Sequence, residues 1–455
     1  MDPRRDIDAG AAPNANAVNP AALRKTALWV LIVQCLLALS WTMYVLFLPG
    51  MLSDAGIAKR WFVYVLIGDQ IVFAACDWAA GVFSDRIASV WKRLGRVMLA
   101  TTMLSSAALL AMPWIAKSGS PVLLLGVIFV WAATSSALRA PVFSLLGRIR
   151  EDAHGDAHED AREGMQQDAR EVGRKAGSRA RRAGMVSMAL VGISLAGAVG
   201  PYLTMLLKAV DNRLPIAVSA VALALAGLWA TRAEALLPPQ SDVADDARAS
   251  ARSSTRAQSL LQRRRAWSLA GTVLVAAFGT QLMTAIVAQP LYRPFVGADA
   301  VLWVGWFWVG FGLGLIPGAR IAASPRSLVG AAIAIAIAWI AFAIGASSAS
   351  FAVLVAGTAI AGAGWGVFST VVFSSAVSLS GGRASVRGAG TASGMVFSAI
   401  AVATLLRMVC TATGFAKTPT IVWLPEVAWA FASVLLIVVA RTVWRDQGEA
   451  SPALA

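Results

Sequence analysis

Twelve apolar runs of membrane-spanning length follow one another along this chain of 455 residues. Eleven of the runs have 16 to 25 residues and the run 351–379 has 29, about the length that a helix needs to cross the hydrocarbon core of a bilayer. Lipid offers no water to backbone amides and carbonyls, so runs this long and continuous form helices and not barrel strands. The sequence therefore predicts an all-α membrane protein with twelve transmembrane helices in two six-helix bundles. The predicted runs are 27–48, 61–83, 97–115, 121–138, 183–207, 214–230, 266–288, 301–316, 328–344, 351–379, 388–409 and 422–440.

The composition excludes an ordinary soluble enzyme. Hydrophobic residues make up 58% of the chain and charged residues only 14%, whereas soluble domains carry about 25% charged residues. Cys35, Cys76 and Cys410 are isolated within apolar runs, so neither a disulfide framework nor a thiolate metal site is expected. The sequence contains no nucleophile elbow and no phosphate-binding glycine loop, and we expect neither enzymatic activity nor a cofactor.

The basic residues indicate the orientation of the chain in the membrane. Most of the 39 Lys and Arg residues lie in the tails and loops on one side of the predicted bundle, and such segments are cytoplasmic by the positive-inside rule. Both termini are therefore predicted to be cytoplasmic, with the helices in the lipid bilayer of the cell (inner) membrane. This distribution accounts for the net charge of +15 without a nucleic-acid partner.

Polar intervals separate the predicted bundles. The predicted parts are a disordered cytoplasmic tail at 1–26, an N-terminal bundle at 27–230, a central cytoplasmic loop at 231–265, a C-terminal bundle at 266–440 and a cytoplasmic tail at 441–455. The first bundle includes a long cytoplasmic loop at 139–182, which we expect to be a surface helix or partly disordered. On a helix, His154 and His158 of this loop would share a face and could hold a divalent metal. We favour a solvated polar linker instead and predict no metal site.

The second apolar run carries two carboxylates, Asp69 and Asp77. A carboxylate within hydrocarbon is costly unless it faces a cavity or a partner, so the pair is a candidate functional site. The two acids are eight residues apart and lie on nearly the same helix face. A buried carboxyl group can carry a coupling proton, and either acid could supply it. Arg407, near the outer end of the eleventh run, is the one base deep in a predicted span.

A short motif follows the second run. Gly81 is followed four and five residues later by Asp85 and Arg86, and Gly95-Arg96 closes the basic loop after an insertion. This pattern resembles the loop between the second and third helices of major facilitator superfamily transporters, in which a single residue separates the base from the second glycine. The six-plus-six topology resembles the same family over roughly residues 25 to 445.

The fifth run carries a second motif of that family. Gly197, Gly200 and Pro201 resemble the glycine-proline signature of its drug exporters. The fourth run, however, contains no base between Val122 and Ala137, where proton-coupled exporters usually carry an arginine. A drug/proton antiporter is therefore an alternative and not the first prediction.

The resemblance implies a monomeric secondary transporter that moves a small solute by alternating access, with a proton as the coupling ion. It implies that Asp85 contacts the N-terminal end of the eleventh helix, where the helix dipole favours a negative charge. Because the second and eleventh helices face each other in the family, we hypothesise that Asp69 and Arg407 pair when the outer side is closed. Asp69 as a proton carrier without a partner, or as a static polar residue, remains open. Asp77 is similar to a cation-binding acid of the family's sugar-cation symporters.

The solute site is expected near the midplane between the two halves. A strongly anionic solute would need buried arginines, so a neutral or cationic, fairly apolar solute is predicted. A transporter-like sensor that binds a solute without moving it is a further alternative. The candidate lining residues are polar or aromatic: Gln34, Trp41, Tyr44, Gln281, Gln289, Trp306 and Trp308.

Overall fold

Long apolar helices make up nearly all of the chain that the structure describes. The structure is a computed structural model, and it describes residues 20–87, 91–148, 164–211, 213–233, 256–321, 325–379 and 389–442. No β-strand occurs within these ranges, which contain twelve long helices. The helices are α1 (Pro20–Asp54), α2 (Phe62–Ile87), α3 (Trp91–Lys117), α4 (Pro121–Arg148), α5 (Gly164–Val210), α6 (Leu214–Ala233), α7 (Arg256–Leu282, continued by Met283–Val287 and Ala288–Val296), α8 (Gly305–Arg320), α9 (Pro325–Ser347), α10 (Phe351–Ser378), α11 (Ala389–Ala412) and α12 (Leu424–Thr442).

The predicted all-helical membrane fold is confirmed. Ten stretches of the described chain are long and apolar enough to cross a membrane. The two remaining helices are shorter: the apolar part of α6 is Leu214–Trp229, and α8 has 16 residues. Each predicted run has a helix at its position, because continuous apolar sequence can satisfy its backbone in lipid only by helical hydrogen bonds.

The helices form two groups of six. In the N-terminal half, α1 packs on α5 and α6, and α4 packs on α2 and α3. In the C-terminal half, α10 packs on α8 and α9, and α12 packs on α7 and α9. The two halves meet mainly along two helix pairs, α2 with α11 and α5 with α8. We call these two contacts the α2/α11 seam and the α5/α8 seam.

The two ends of the bundle differ in how the halves join. We call the end at which α1 begins and α12 ends the proximal end, and the opposite end the distal end. One buried apolar cluster runs through the C-terminal half and takes in the proximal residues of the other half, such as Trp29 and Phe143. A second cluster holds the distal part of the N-terminal half, and from the C-terminal half it includes Ala401 and Met408 of α11. Within the described chain, the apolar cores of the halves therefore merge at the proximal end and stay largely separate at the distal end.

Several helices extend beyond the predicted runs. Helix α4 continues to Arg148 and α5 begins at Gly164, so the described part of the interval 139–182 is helical. Helix α7 likewise begins at Arg256, within the predicted central loop. Charged residues ended the predicted runs, although a helix can continue past the apolar core into the interface. The histidines His154 and His158 lie outside the described residues, as do the first 19 residues and those after Thr442.

Candidate functional site

Asp69 lies in the distal half of α2 and bonds to a tyrosine of α1. Its side chain is 4% exposed, and its Oδ2 accepts a hydrogen bond of 2.5 Å from the Tyr44 hydroxyl, which is itself fully buried. A hydrogen bond to a carboxylate is stronger than one between neutral groups, so this contact ties α1 to α2. No ion pair to Asp69 occurs among the described residues.

An aromatic cluster surrounds this contact. The rings of Trp41 and Trp131 stack at 6.1 Å, and Tyr44 lies 4.3 Å from Trp131. Phe73, one turn from Asp69 on the same face of α2, packs edge-on against Trp41 at 5.1 Å. Aromatic pairs of this kind add about 0.5–1.5 kcal/mol each beyond the area they bury. The cluster therefore holds the Asp69 carboxyl group in a rigid, water-poor setting.

Asp77 lies two turns further along α2 and forms an ion pair with Arg139 of α4. The two side chains meet at 2.8 Å between Asp77 Oδ2 and Arg139 Nη2, with the aspartate fully buried and the arginine 24% exposed. The Ser136 hydroxyl lies within hydrogen-bonding distance of Asp77 Oδ1, at 2.8 Å, and of the Phe73 carbonyl, at 3.1 Å. The carboxylate therefore has partners on both oxygens, and they fix α4 against α2.

Sequence reasoning missed Arg139, because the predicted fourth run ended one residue before it. Leu138 and Arg139 are both within α4, and the apolar membrane-spanning part of this helix extends to Phe143. The apolar residues Ala140, Pro141, Val142 and Phe143, which follow the arginine, were the available signal. A span that resumes on the far side of a charge places that charge inside the membrane.

Asp85 fastens the proximal end of α2 to the start of α11. Its Oδ1 accepts the backbone N–H of Gly390 at 2.9 Å, and its Oδ2 accepts the backbone N–H and the hydroxyl of Thr391 at 2.7 and 2.6 Å. The first N–H groups of a helix have no partner within the helix, and the dipole favours an anion there. The contact that the family resemblance implied for Asp85 is thus present in the structure.

The remaining residues of the loop motif have different positions. A Cβ atom on Gly81 would collide with the Gly390 carbonyl oxygen and lie 3.0 Å from the Cα of Gly394, so glycine is needed for this close approach. Arg86 is in the last turn of α2, Gly95 is in α3, and Arg96, also in α3, is exposed. Half of the eight-residue insertion, Trp91 to Leu94, is therefore part of α3.

Three phenylalanines close the proximal end between the halves. Phe143 of α4 lies 5.0 Å from Phe373 of α10 and 5.2 Å from Phe397 of α11, and the last two are 5.0 Å apart. All three are nearly fully buried. We call these three residues the phenylalanine gate. It is a buried apolar contact between the halves near the proximal end.

Arg407 is not joined to Asp69 in this structure. Its Nε atom is buried and has no hydrogen-bond partner among the described residues, and no ion pair involves it there. Burial at the proximal end is the more extensive of the two ends, so the predicted pairing, which belongs to a closed distal side, is not the state seen here. The hypothesis of an Asp69–Arg407 contact therefore stays a proposal.

The predicted solute-lining residues divide into three groups. Gln34 and Tyr44 are buried within the N-terminal half, where the Gln34 amide nitrogen has no partner among the described residues. Trp41, Gln281 and Gln289 are partly exposed. The remaining two, on α8, point to different faces and are described below.

Trp306 and Trp308 illustrate the two faces of α8. Trp306 is 41% exposed and shares a face with three other exposed apolar residues, namely Val309, Leu313 and Ile316. An exposed stripe of large apolar side chains at helical spacing is typical of a lipid-facing surface, which argues against Trp306 as a solute contact. Trp308 instead packs at the α5/α8 seam.

The helix-five motif accommodates that tryptophan. The Trp308 indole lies where a Cβ atom on Gly197 would be, and its backbone carbonyl accepts a 2.7 Å hydrogen bond from the Ser194 hydroxyl of α5. Gly200 faces Leu39 and Thr42 of α1, and a Cβ atom added to it would lie 3.3 Å from Leu39 Cδ2. Pro201 lies inside α5. The motif therefore serves close packing of α5 against both α8 and α1. No group of three or more potential metal-ligating side chains occurs in the described ranges.

Solved transporters share this architecture. The human organic anion transporter TETRAN (MFSD10) is similar over 92% of this chain and 99% of its own, with a TM-score of 0.61 and 16% identity. A variant of the E. coli fucose:proton symporter FucP is similar over 93% of this chain and 99% of its own, with a TM-score of 0.61 and 14% identity. FucP in the outward conformation, a major facilitator superfamily transporter, is similar over 93% of this chain and 99% of its own, with a TM-score of 0.60 and 15% identity. No protein-family model and no curated protein sequence matches the chain. The chain therefore has the fold of the major facilitator superfamily transporters.

Proposed function

We propose that this protein is a secondary transporter that moves a small neutral or cationic solute across the membrane by alternating access. The observation that carries the proposal is the closed contact between the halves at the proximal end. It consists of the hydrogen bonds from Gly390 and Thr391 to Asp85 together with the phenylalanine gate. These contacts join two separately packed six-helix units and can break without unfolding either one. A barrier of this kind at one end, with separate apolar cores at the other, is what a rocking carrier requires.

In this proposal the proximal end is cytoplasmic and the protein acts as a monomer in the cell membrane. The excess of Lys and Arg in the proximal loops supports the orientation. The monomer is what the resemblance to the family implies. The protein is a carrier and not an enzyme.

A proton is the proposed coupling ion, carried by Asp69 or Asp77. The carboxyl groups of both acids of α2 are buried, which supports this assignment. A buried acid within the membrane is energetically costly, and such acids typically take part in transport. Asp69 has a second proposed role at the outer gate. When the distal side closes, it pairs with Arg407, whose Nε has no partner in the conformation described here.

The charges of the interior support a neutral or cationic solute. Arg139 is already neutralised by Asp77, and Arg407 is the one base that the sequence places inside a predicted apolar run. A multiply charged anion would find one cation where it needs several. Partly exposed Trp41, Gln281 and Gln289 are the proposed contacts of the solute.

Counterflow in proteoliposomes tests the proposal. Purified protein is first screened for thermal stabilisation at two pH values, because a solute that binds the folded state raises its apparent stability. The panel contains monosaccharides, including fucose, together with organic cations and one organic anion, since the similar solved proteins are a fucose:proton symporter and an organic anion transporter. A carrier preloaded with unlabelled solute accumulates the labelled solute transiently.

The outcomes separate the alternatives. Counterflow that an inward proton gradient accelerates supports proton-coupled uptake, whereas extrusion of dyes or drugs driven by the gradient indicates the drug/proton antiporter. Stabilisation by a solute without counterflow indicates a membrane sensor and contradicts the transporter. Counterflow of the organic anion, and of no other solute, contradicts the proposed solute class.

A further inference from the structure

Arg139 connects the ion pair in the N-terminal half to the contact between the halves. Its Nη2 donates to Asp77, while its guanidinium carbon lies 4.8 Å from the centre of the Phe73 ring and 5.8 Å from that of Phe397. Phe397 belongs to α11 and is one member of the phenylalanine gate. One side chain of α4 thus touches both the buried acid and the gate.

Phe143, the N-terminal member of the gate, is on the same helix and the same face as Arg139. The two are four residues apart, which places them one turn apart on one side of α4. The position of this face is set by α2, because Asp77 binds both Arg139 and Ser136. A movement of this face of α4 away from Asp77 would therefore also displace Phe143 relative to Phe373.

We propose that the Asp77–Arg139 ion pair is a proton-sensitive latch on the phenylalanine gate. Protonation of Asp77 removes the countercharge of Arg139, and α4 then moves so that Phe143 leaves Phe373 and Phe397 and the proximal end opens. The inference rests on the proposed transport function, and it names Asp77 as the acid that links proton binding to the gate. Asp85 is a separate contact, since its hydrogen bonds to Gly390 and Thr391 hold α2 to α11 and not to α4.

The physical reason is the cost of an unpaired charge. Removing one partner of a buried ion pair strands the other charge, a loss that is large compared with the worth of the pair itself. In the closed state the Arg139 guanidinium has aromatic rings on two sides, and the side chain is 24% exposed. An open proximal end would admit water to the guanidinium, so neutralising Asp77 penalises the closed state more than the open state.

The other charges near Asp77 do not replace Arg139. On α2 itself, Asp69 is two turns distal and bonded to Tyr44 of α1, and Asp85 is two turns proximal and bonded to α11. Helix α11 faces Asp77 with Gly394, whose added Cβ would lie 2.6 Å from the Asp77 carbonyl oxygen. Of the charged side chains facing Asp77 in the described chain, Arg139 is the cation.

Distances between spin labels at the proximal end test the latch. The labels are placed on cysteines introduced at two exposed positions, Lys25 of α1 and Arg264 of α7, after the three native cysteines are replaced by alanine. Asp77→Asn has nearly the shape of the protonated acid and removes its charge. We expect the ratio of long to short distances in Asp77→Asn to rise on the order of tenfold or more.

Asp69→Asn is the matched control. It makes the same chemical change on the same face of the same helix, at an acid that has a tyrosine partner and no arginine. We expect it not to raise the distance ratio, since it strands no charge in the closed proximal state, and loss of the proposed Asp69–Arg407 pair disfavours the open proximal state. In the double variant Asp77→Asn with Arg139→Gln, the stranded cation is gone and the short distance should return.

A pH series on the labelled parent protein supplies a second measurement that does not depend on how Asp77→Asn folds. Lowering the pH from about 8 to about 5 covers the range in which carboxyl groups of buried acids take up protons, and it should lengthen the distance in the parent but not in the double variant. An unchanged ratio in Asp77→Asn, or an equal shift in Asp69→Asn, overturns the latch. A pH response that survives in the double variant also overturns it.

The latch and the proposed function can fail separately. The spin-label distances require no solute, so a shift in Asp77→Asn together with absent counterflow would retain the latch and reject the carrier. Counterflow by the parent with no shift in Asp77→Asn would retain the carrier and reject the latch.

Discussion

The α2/α11 seam and the α5/α8 seam are equivalent contacts between the two halves, but they are formed by different side-chain chemistry. Both contain a hydroxyl group that donates to a mid-helix carbonyl of the neighbour, from Ser398 to Ala74 in the first and from Ser194 to Trp308 in the second. The α2/α11 seam ends proximally in the carboxylate Asp85. The corresponding stretch after α8, residues 318–326, contains no acid, and the α5/α8 seam is filled by an indole ring instead.

This difference in chemistry indicates that the two seams have different roles in the conformational change. Hydrogen bonds from a carboxylate to a helix start can be exchanged for water when the seam opens, so the α2/α11 seam can act as a lock. A ring packed on a glycine offers shape and no exchangeable charge, so the α5/α8 seam can act as a pivot. The following changes test whether the two seams differ in this way.

The largest effect is expected at Asp85. Asp85→Ala removes three hydrogen bonds to a charged group, each worth about 1.5–3 kcal/mol. We expect the proximal end to open about a hundredfold more often, measured as alkylation of a cysteine at buried Ser374 of α10 by a membrane-impermeant reagent. Ser187→Ala, which removes one hydroxyl of the α5/α8 seam bonded to the Leu315 carbonyl, should change the rate by about fivefold or less. Equal effects would contradict the lock.

The next effect concerns the close approach of α2 to α11. In Gly81→Ala the new methyl group meets backbone atoms of Gly390 and Gly394, which cannot rotate away, so the seam must widen. We expect a loss of about 1–3 kcal/mol, measured as a lower unfolding temperature in detergent. Gly68→Ala is the control on the same helix, because no atom lies within 4 Å of its new methyl group. Alanine there should be neutral or stabilising by up to about 1 kcal/mol, and a similar loss in both variants would contradict the argument.

These two cases show what could be predicted from sequence and why. Apolar run length predicts the helices because lipid leaves the backbone no other way to satisfy its hydrogen bonds. The contact of Asp85 with α11 could be predicted because a family motif fixes it. The bond between Tyr44 and Asp69 could not, since it depends on how α1 and α2 are rotated about their axes. Arg139 was missed because its charge was taken as the end of a span, although Asp77 neutralises it there.

A smaller effect tests whether the α2/α11 seam also has a distal lock. Asp69→Asn or Arg407→Gln alone should slow counterflow about tenfold, because the remaining charge is stranded when the distal side closes. The double variant should transport within about threefold of the parent, since neither charge remains. Counterflow rates of the four proteins form a double-mutant cycle. Additive losses would exclude the pair and leave Asp69 as a proton carrier without a partner or as a static polar residue.

The smallest effect is expected at the α5/α8 seam. In Gly197→Ala the new methyl group meets the Trp308 indole, a side chain that can shift, so the cost should be about 1 kcal/mol, below that of Gly81→Ala. Adding Trp308→Leu makes room for the methyl group and should restore the unfolding temperature. Gly200→Ala is the matched control. Its new methyl group would lie 3.3 Å from Leu39 Cδ2, the nearest atom, so this variant should be nearly neutral. A pivot tolerates such repacking as long as α5 and α8 stay in contact. Among these variants we therefore expect the counterflow rate to depend only weakly on the unfolding temperature. If Gly197→Ala instead abolishes counterflow, the α5/α8 seam also controls transport. Both seams then act as locks, and the proposed difference between them is wrong.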